Sequence, residues 1–292
     1  MKQGWIHRLF AVTVFGLLAA GWCDPLVAAK IRYTFDGWEG PALRVHVSRS
    51  AGLAADRPVV FVMHGTNRNA NDYRDQWHEL AIEHDFLVVV PEFSDSDFPG
   101  AAGYNLGYQY DGAGKPRPRA VWAYSAIEPL FDDIRKRFSL TTGRYALYGH
   151  SAGAQFVHRY LFHVPQARVS RIVPANAGWY MMPDYSAAYP YGLGASSITP
   201  EQLAAAMALP VTVLLGEQDI DPQHSNLRRT PEAMAQGAYR LQRGQNFYAI
   251  ARAAAERQGV PFNWQLATVP EAGHDNRLMA PAAVPYLLGV EP

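Results

Sequence analysis

Residues 149–153 read GHSAG, and this short stretch decides the fold of the chain. An apolar segment, Tyr145–Tyr148, leads into it, and apolar residues at helical spacing follow it from Phe156 to Val164. The two glycines permit the tight turn that joins a strand to a helix. We therefore expect Ser151 to stand at the carboxyl edge of a sheet and at a helix N-terminus, where backbone amides favour negative charge.

Outward from this motif, seven further segments have the composition of strands and alternate with helical patterns. These strands are predicted at Ile31–Phe35, Leu43–Val47, Val59–Met63, Phe86–Val90, Val169–Val173, Val211–Leu215 and Asn263–Val269. Helices are predicted near residues 127–138, 247–257 and 282–288. Continuous apolar runs such as VVFVM are typical of parallel strands that are covered on both faces. The pattern predicts an α/β protein with a mostly parallel central sheet flanked by helices.

The composition excludes several classes of protein. The chain has 292 residues, with Lys+Arg and Asp+Glu equal at 26 each, so it lacks the basic excess of a phosphate-driven nucleic-acid binder. Aromatic residues make up 12% of the sequence, which argues against disorder. The one cysteine is Cys23. A chain that begins after it has neither a disulfide nor a thiol nucleophile, and we expect no cofactor or metal.

The first 29 residues have the pattern of a cleaved signal peptide. Lys2 and Arg8 give a basic start, and Leu9–Ala20 is an apolar stretch too short to span a bilayer comfortably. Small residues precede Lys30 at the positions that a signal peptidase requires. We expect an exported protein, periplasmic or extracellular, with one domain over residues 30–292 and no membrane span after cleavage.

A serine hydroxyl needs a base, and the base needs an acid. His274 is the best candidate for the base, because it lies in a loop directly after the last predicted strand. The loop after Val211–Leu215 offers Asp219 as the first choice of acid. Asp221 is the alternative, and Glu217 is less favoured because it lies nearer the strand. These residue types in this order are suited to acyl transfer.

Acyl transfer also needs donors for an oxyanion. The backbone N–H of Ala152, directly after the serine, is one candidate. The other is the N–H of Thr66, in the loop that follows Val59–Met63, where Gly65 permits a sharp turn. His64 is interpreted as a structural brace of this loop.

Two connections, residues 92–119 and 177–199, are too long to be simple turns. They are rich in aromatic residues, and we interpret them as long loops that form the walls of a binding cleft over the active site. Asn105, Asn176 and Arg228 are candidates for orienting a polar group. The candidate substrate-binding residues are Tyr104, Asn105, Asn176, Trp179 and Tyr180.

Taken together, the motifs resemble the α/β-hydrolase superfamily: HGT at 64–66, GHSAG at 149–153, GEQD at 216–219 and GHD at 273–275. The order serine, acid, histidine matches that superfamily. Within it, the sequence looks most like the exported esterases and polyester depolymerases related to dienelactone hydrolase. The resemblance implies a nucleophile at Ser151, an acid at Asp219, a base at His274 and oxyanion donors at Thr66 and Ala152.

Three functions follow from these residues. The first is a secreted serine hydrolase that cleaves carboxylic esters, with a small molecule or a polymer as substrate. The second keeps the same fold and triad but cleaves amides, because both reactions use the same type of intermediate. The third is a non-catalytic binding protein, whose mark would be the loss of a triad residue, and all three residues are present.

Overall fold

The computed structural model describes residues 28–290 and contains an eight-stranded sheet. The strands are β1 (Ala29–Phe35), β2 (Leu43–Arg49), β3 (Val59–Met63), β4 (Leu87–Glu92), β5 (Tyr145–His150), β6 (Val169–Ala175), β7 (Val211–Gly216) and β8 (Trp264–Val269). Their order is β1-β2-β4-β3-β5-β6-β7-β8. Strand β2 pairs antiparallel with β1 and β4, and the other five pairings are parallel. The predicted α/β class and all eight predicted strands are confirmed.

Helices cover both faces of the sheet. They are α1 (Ala70–Gln76), α2 (His78–Glu83), α3 (Gly100–Gly103), α4 (Ile127–Arg137), α5 (Ala152–His163), α6 (Pro200–Met207), α7 (Pro231–Ala235), α8 (Arg240–Gln258) and α9 (Asn276–Leu288). Two short 3₁₀ helices lie at Arg119–Val121 and Ala123–Ala126. Apolar residues of α4, α5, α6 and α8 pack in the core on one face. Those of α1, α2 and α9 pack on the other.

The strand β3 shows why a continuous apolar run is required. All five of its residues are buried, because the sheet has helices on both sides. Phe61 contacts Phe131 and Tyr145 on one face, edge to ring. Val60 and Val62 belong to the opposite core. Burial on both faces removes this strand wholly from water, and each such side chain contributes about 1.5–3 kcal/mol to folding.

Several element boundaries differ from the prediction, and three of the differences involve a proline or the start of a helix. Strand β4 continues through Pro91 instead of ending before it, since at that point its pairing partner is β2, with Val45 opposite Pro91. Helix α8 begins seven residues earlier than predicted, because its first two turns are rich in arginine, glutamine and glycine. Helix α9 begins at Asn276, capped by Asp275, although Pro281 and Pro285 lie inside it.

Buried histidines brace both long loops. The Nε2 atom of His163 on α5 accepts a hydrogen bond from the Gln109 side chain at 3.1 Å. The Nε2 atom of His158, one turn earlier, accepts from the backbone N–H of Met181 at 3.0 Å. Both connections are therefore anchored to α5, the helix that follows the GHSAG turn.

The predicted signal peptide, residues 1–29, lies outside the described residues except for its last two, and Ala29 begins β1. Among residues 28–290, no helix is both long and apolar enough to cross a membrane.

Candidate active site

Ser151 occupies the sharp turn between β5 and α5. Its backbone has φ 57° and ψ −114°, a left-handed region that is strained for a residue with a side chain. The flanking glycines are required by close backbone contacts. A Cβ on Gly153 would lie 2.0 Å from the carbonyl oxygen of Met63, and one on Gly149 would lie 2.3 Å from the backbone of Gly153. The turn therefore lifts Ser151 to the carboxyl edge of the sheet, as the sequence predicts.

Ser151, His274 and Asp219 form one chain of hydrogen bonds. The hydroxyl of Ser151 and Nε2 of His274 are 2.9 Å apart. On the other side of the ring, Nδ1 of His274 donates to Oδ2 of Asp219 at 2.7 Å. Asp219 is 3% exposed. These are the distances and the order in which a base can take the serine proton while a buried carboxylate fixes its tautomer.

The structure separates the three candidate acids. The exposed Asp221 accepts a hydrogen bond from the backbone N–H of Gln223, so it closes a turn. Glu217 accepts from the hydroxyl of Thr268. Of the three, Asp219 is the carboxylate that reaches His274.

Asn176 holds the acid loop and the histidine loop together. It lies just after β6, fully buried, with a φ of 50°. Its Oδ1 accepts from the backbone N–H of Gly216 at 2.8 Å, and its Nδ2 donates to the carbonyl of Gly273 at 3.0 Å. Sequence analysis interprets Asn176 as a residue that contacts substrate. In the structure both polar groups of its side chain are occupied by the two loops that carry Asp219 and His274.

Arg240 is a residue of this site that sequence analysis missed. It is the first residue of α8 and is 1% exposed. Its Nη1 donates to Oδ1 of Asp219 at 3.1 Å, and its Nη2 lies 3.2 Å from Nδ1 of His224. The ring of His224 lies edge-on to that of His274, with centroids 5.4 Å apart. No sequence signal indicates this role, because a charged residue at the start of a helix is ordinarily exposed.

Tyr73 joins the Gly65 loop to the GHSAG turn. Its hydroxyl lies 3.0 Å from Nδ1 of His150 and occupies the space beside Gly65, where a Cβ would be 2.8 Å from it. Burial and the neighbouring His274 and Arg240 lower the pKa of His150 well below its usual value, so its ring is neutral. It packs against the ring of His274, with centroids 4.8 Å apart.

His64 has the bracing role that the sequence predicts. Its Nδ1 bonds to the carbonyl of Gly65, and its Nε2 accepts from the backbone N–H of Phe93. Burial lowers its pKa to about 3, so it stays neutral. The two predicted oxyanion donors, Thr66 and Ala152, line a cavity together with Ser151. Ala152 is the first residue of α5, so its N–H has no partner within the helix.

Two cavities meet at Ser151. The histidine-side cavity measures about 270 Å³ and is lined by His274, His150, His224, Asp275 and polar amides of Asn67, Asn69, Gln76, Asn226 and Asn276. The tryptophan-side cavity measures about 290 Å³ and is lined by Trp179, Asn105, Gln155, Leu227, Arg228 and the two oxyanion candidates. Both are lined mostly by polar groups. A substrate that reaches Ser151 can extend into both cavities.

The predicted substrate-binding residues divide into two groups. Trp179 and Asn105 line the tryptophan-side cavity. Tyr104 is fully buried, stacks on His64 and donates its hydroxyl to the carbonyl of His64. Tyr180 is buried as well and stacks on Phe247. The structure therefore brings two of the five to the cavity and uses Tyr104, Tyr180 and Asn176 to support the fold.

Searches with family models and among curated proteins found no match. Among solved structures, a poly(aspartic acid) hydrolase from Sphingomonas sp. KT-1 is 44% identical, with a TM-score of 0.88 over 90% of this chain and 100% of the other. A poly(3-hydroxybutyrate) depolymerase from Bordetella parapertussis is 36% identical, with a TM-score of 0.84 over 92% of each chain. An S-formylglutathione hydrolase from Agrobacterium tumefaciens, 14% identical, shares the fold with a TM-score of 0.56 over 94% of this chain and 99% of the other.

The eight-stranded sheet and the serine at its strand–helix turn define an α/β-hydrolase. The two relatives above 30% identity cover nearly all of the chain, so the chain belongs to the α/β-hydrolase superfamily. Both of these relatives are named as enzymes that break down a polymer, and the chain is a hydrolase, as the resemblance of its motifs predicts.

Proposed function

We propose that this chain is an exported hydrolase that cleaves carboxylic esters through an acyl-enzyme on Ser151, with His274 as base and Asp219 as acid. The observation that carries the proposal is the unbroken hydrogen-bond chain, 2.9 Å from Ser151 to His274 and 2.7 Å from His274 to Asp219. His64 and His150 are poorer candidates for the base, because burial lowers the pKa of both rings and the hydroxyl of Ser151 is hydrogen-bonded to His274.

The reaction has two halves. The Oγ atom of Ser151 attacks the ester carbonyl as its proton passes to Nε2 of His274. When the tetrahedral intermediate collapses, the carbon–oxygen bond to the alcohol breaks, and His274 gives the alcohol that proton. A water molecule then attacks the acyl-enzyme, with His274 again as base. The carboxylic acid leaves, and the serine hydroxyl is restored.

The backbone N–H groups of Thr66 and Ala152 are the proposed oxyanion donors. The helix dipole of α5 adds positive potential at the same point, because Ala152 is its first residue. One such donor contributes about 10²–10³ in turnover in related chemistry. Gly65 and Tyr73 fix the loop that carries Thr66, so the donor is in position before the substrate binds.

The position of His274 indicates which part of the substrate each cavity receives. The leaving alcohol must lie within reach of Nε2 of His274, and the histidine-side cavity contains that ring. The tryptophan-side cavity contains Thr66 and Ala152 without His274, so it is assigned to the acyl part of the substrate. Two openings on either side of Ser151 suit a small ester or a polymer chain.

Amide cleavage is the second candidate, and a specific observation favours it. The relative with 44% identity is named as a hydrolase of poly(aspartic acid), a polymer whose repeating units are joined by amide bonds. The relative with 36% identity is named for a polyester. The same triad serves both reactions, so the leaving group decides between them.

Export and domain organisation are part of the proposal. Residues 1–29 are proposed to be a signal peptide and residues 30–292 one catalytic domain. The leader pattern supports this reading. Mass spectrometry of the exported protein is expected to find Lys30 at the N-terminus. A secreted chain that still begins at Met1 would contradict it.

Turnover of 4-nitrophenyl butyrate and of butyryl 4-nitroanilide, compared on one preparation, tests the reaction. We expect hydrolysis of the ester and a fall of about 10⁶ in the Ser151→Ala variant. The matched control is Ser186→Ala, since Ser186 is exposed and bonds to Asp184 away from the site. Preferential turnover of the anilide would establish the amidase instead.

A further inference from the structure

Three side chains form an arginine–tryptophan cluster at the wall of the tryptophan-side cavity. Trp179 and Arg228 line this cavity together with Ser151. The Cζ atom of Arg159, on α5, lies 4.1 Å from the centroid of the Trp179 ring. The Cζ atom of Arg228 lies 4.9 Å from the same centroid. Two guanidinium groups therefore contact one aromatic ring beside the candidate nucleophile.

Arg159 is a buried cation that has no counter-ion among residues 28–290. Its side chain is 0% exposed, and its Nη1 donates to the backbone carbonyl of Gln155. Its Nε and Nη2 have no hydrogen-bond partner within residues 28–290. Burial lowers its pKa to about 10, which leaves the group charged at neutral pH. Burying a cation without a paired anion is unfavourable. A negative charge close to Arg159 would therefore stabilise it.

In the part of the chain that the structure describes, no neighbouring residue supplies that negative charge. The charges with the largest effect on Arg159 are those of Tyr124, Tyr189, Arg228 and Tyr191. Burial raises the pKa of Tyr189 to about 12 and that of Tyr124 well above its ordinary value, so both phenols are neutral. The ion pairs of the described chain include neither Arg159 nor Arg228.

Arg228 is the member of the cluster that a ligand can reach. It is exposed, and its Nε donates to the hydroxyl of Tyr191 at 2.6 Å. That bond fixes the plane of the guanidinium while the two terminal nitrogens stay free for a ligand. A guanidinium presents them as a fork that matches both oxygens of a carboxylate.

The charges of the two cavities are opposite. Among its lining residues, the tryptophan-side cavity has Arg228 and no carboxylate. The histidine-side cavity has Asp275 and no arginine or lysine. The whole chain carries no net formal charge, so this asymmetry is a local property of the site and not a consequence of the overall composition.

We propose that the tryptophan-side cavity is a subsite for a carboxylate on the acyl part of the substrate, bound by Arg228 over Trp179 and attracted by the buried charge of Arg159. The inference rests on the proposed function, because it assigns this cavity to the acyl group. The substrate class is then an acyl chain with a carboxylate, such as a dicarboxylic acid monoester or an anionic polymer.

Two esters of equal acyl length test the subsite: mono-4-nitrophenyl adipate, which is anionic, and 4-nitrophenyl hexanoate, which is neutral. We expect the adipate ester to have a higher kcat/KM by about 10- to 100-fold, the range for a hydrogen bond to a charged group. In Arg228→Gln the ratio of the two kcat/KM values, adipate to hexanoate, is expected to fall to about one. Added salt is expected to weaken the preference, because Arg228 is exposed.

The matched control is Arg229→Gln, since Arg229 is the adjacent exposed arginine and bonds to Gln223 outside the cavity. It is expected to keep the preference. The subsite would be overturned if Arg228→Gln lowered kcat/KM by the same factor for both esters, or if the wild type did not prefer the adipate ester. In either case, hydrolysis of the hexanoate ester would still uphold the proposed function. A wild type that hydrolyses neither ester would overturn the proposed function itself.

Discussion

Arg240 donates from Nη1 to Oδ1 of Asp219 at 3.1 Å, through the carboxylate oxygen that His274 does not use. Both oxygens of Asp219 are thereby engaged, which fixes the plane of the carboxylate. Because Arg240 and Asp219 are both almost fully buried, water does not screen this pair. The first residue of α8 therefore takes part in orienting His274, the proposed base.

Replacing Arg240 tests this support. Arg240→Gln leaves the buried carboxylate without its cation, and breaking such a pair costs about 3–5 kcal/mol of unfolding free energy. We expect lower stability and lower kcat, with Arg240→Lys intermediate in both. Urea denaturation and steady-state kinetics measure them. The control is Arg252→Gln on the same helix, whose exposed pair with Glu256 is expected to contribute little. Unchanged stability in Arg240→Gln would show that the pair is not needed.

The two aspartates of the acid loop are expected to differ sharply. Asp219→Asn can no longer hold the correct tautomer of His274, so turnover is expected to fall about 10⁴-fold. Asp221→Asn alters only an exposed turn and is expected to cost about tenfold or less. Kinetics of both variants, with folding checked by circular dichroism, compare them. An inactive Asp221→Asn beside an active Asp219→Asn would mean that the acid is misassigned.

Gly65 and Tyr73 are expected to be coupled. A Cβ at Gly65 would lie 2.8 Å from the Tyr73 hydroxyl, so Gly65→Ala displaces the loop that carries Thr66. We expect a fall in kcat of about 10²-fold, the value of one oxyanion donor, with a smaller change in KM. In the Tyr73→Phe background the obstructing hydroxyl is gone, and the same substitution is expected to cost less. Strictly additive effects in the double-mutant cycle would refute the contact.

Lowering the pH is expected to destabilise the fold already at pH values above those at which the carboxylates titrate. Burial lowers the pKa of His64 and of His163 to about 3, and those of His150 and His158 well below the usual value. Below about pH 6.5 these side chains bind protons in the unfolded chain but not in the folded one, so stability falls with falling pH. Each contributes a slope of up to about 1.4 kcal/mol per pH unit.

Urea denaturation between about pH 7 and pH 5.5 measures this slope, in a range above the titration of ordinary carboxylates. His163→Gln is expected to reduce this slope by the contribution of one proton, up to about 1.4 kcal/mol per pH unit. The control is His84→Gln, at a half-exposed histidine, which is expected to leave the slope in place. A stability that does not change over this range would contradict the neutral, buried state of these histidines.

The sequence predicts the sheet and the triad geometry because both depend on local patterns. Buried parallel strands require continuous apolar runs, and VVFVM at Val59–Met63 became β3 without a change of boundary. The GHSAG turn requires its glycines because the backbone is closely packed there. A short motif is therefore enough to predict it. Asp219 and His274 each follow a strand, so the parallel sheet brings their loops to one edge.

The remainder of the site depends on contacts between distant segments, which leave no local pattern. Tyr104 and Tyr180 lie in long connections without strand or helix periodicity, yet tertiary packing buries both rings. Arg240 is 21 residues from Asp219, and the position of α8 decides their contact. Asn176 is of a residue type that often binds polar ligands, but its side chain is hydrogen-bonded to the backbone of Gly216 and Gly273.

The central claim, an acyl-enzyme on Ser151, is tested most directly by labelling with a fluorophosphonate and mapping the adduct by mass spectrometry. We expect one adduct per chain, on the peptide that contains Ser151. Asp219→Asn is expected to slow labelling, and Ser151→Ala to abolish it together with ester turnover. An adduct on another residue, or Ser151→Ala that retains ester hydrolysis, would contradict the account.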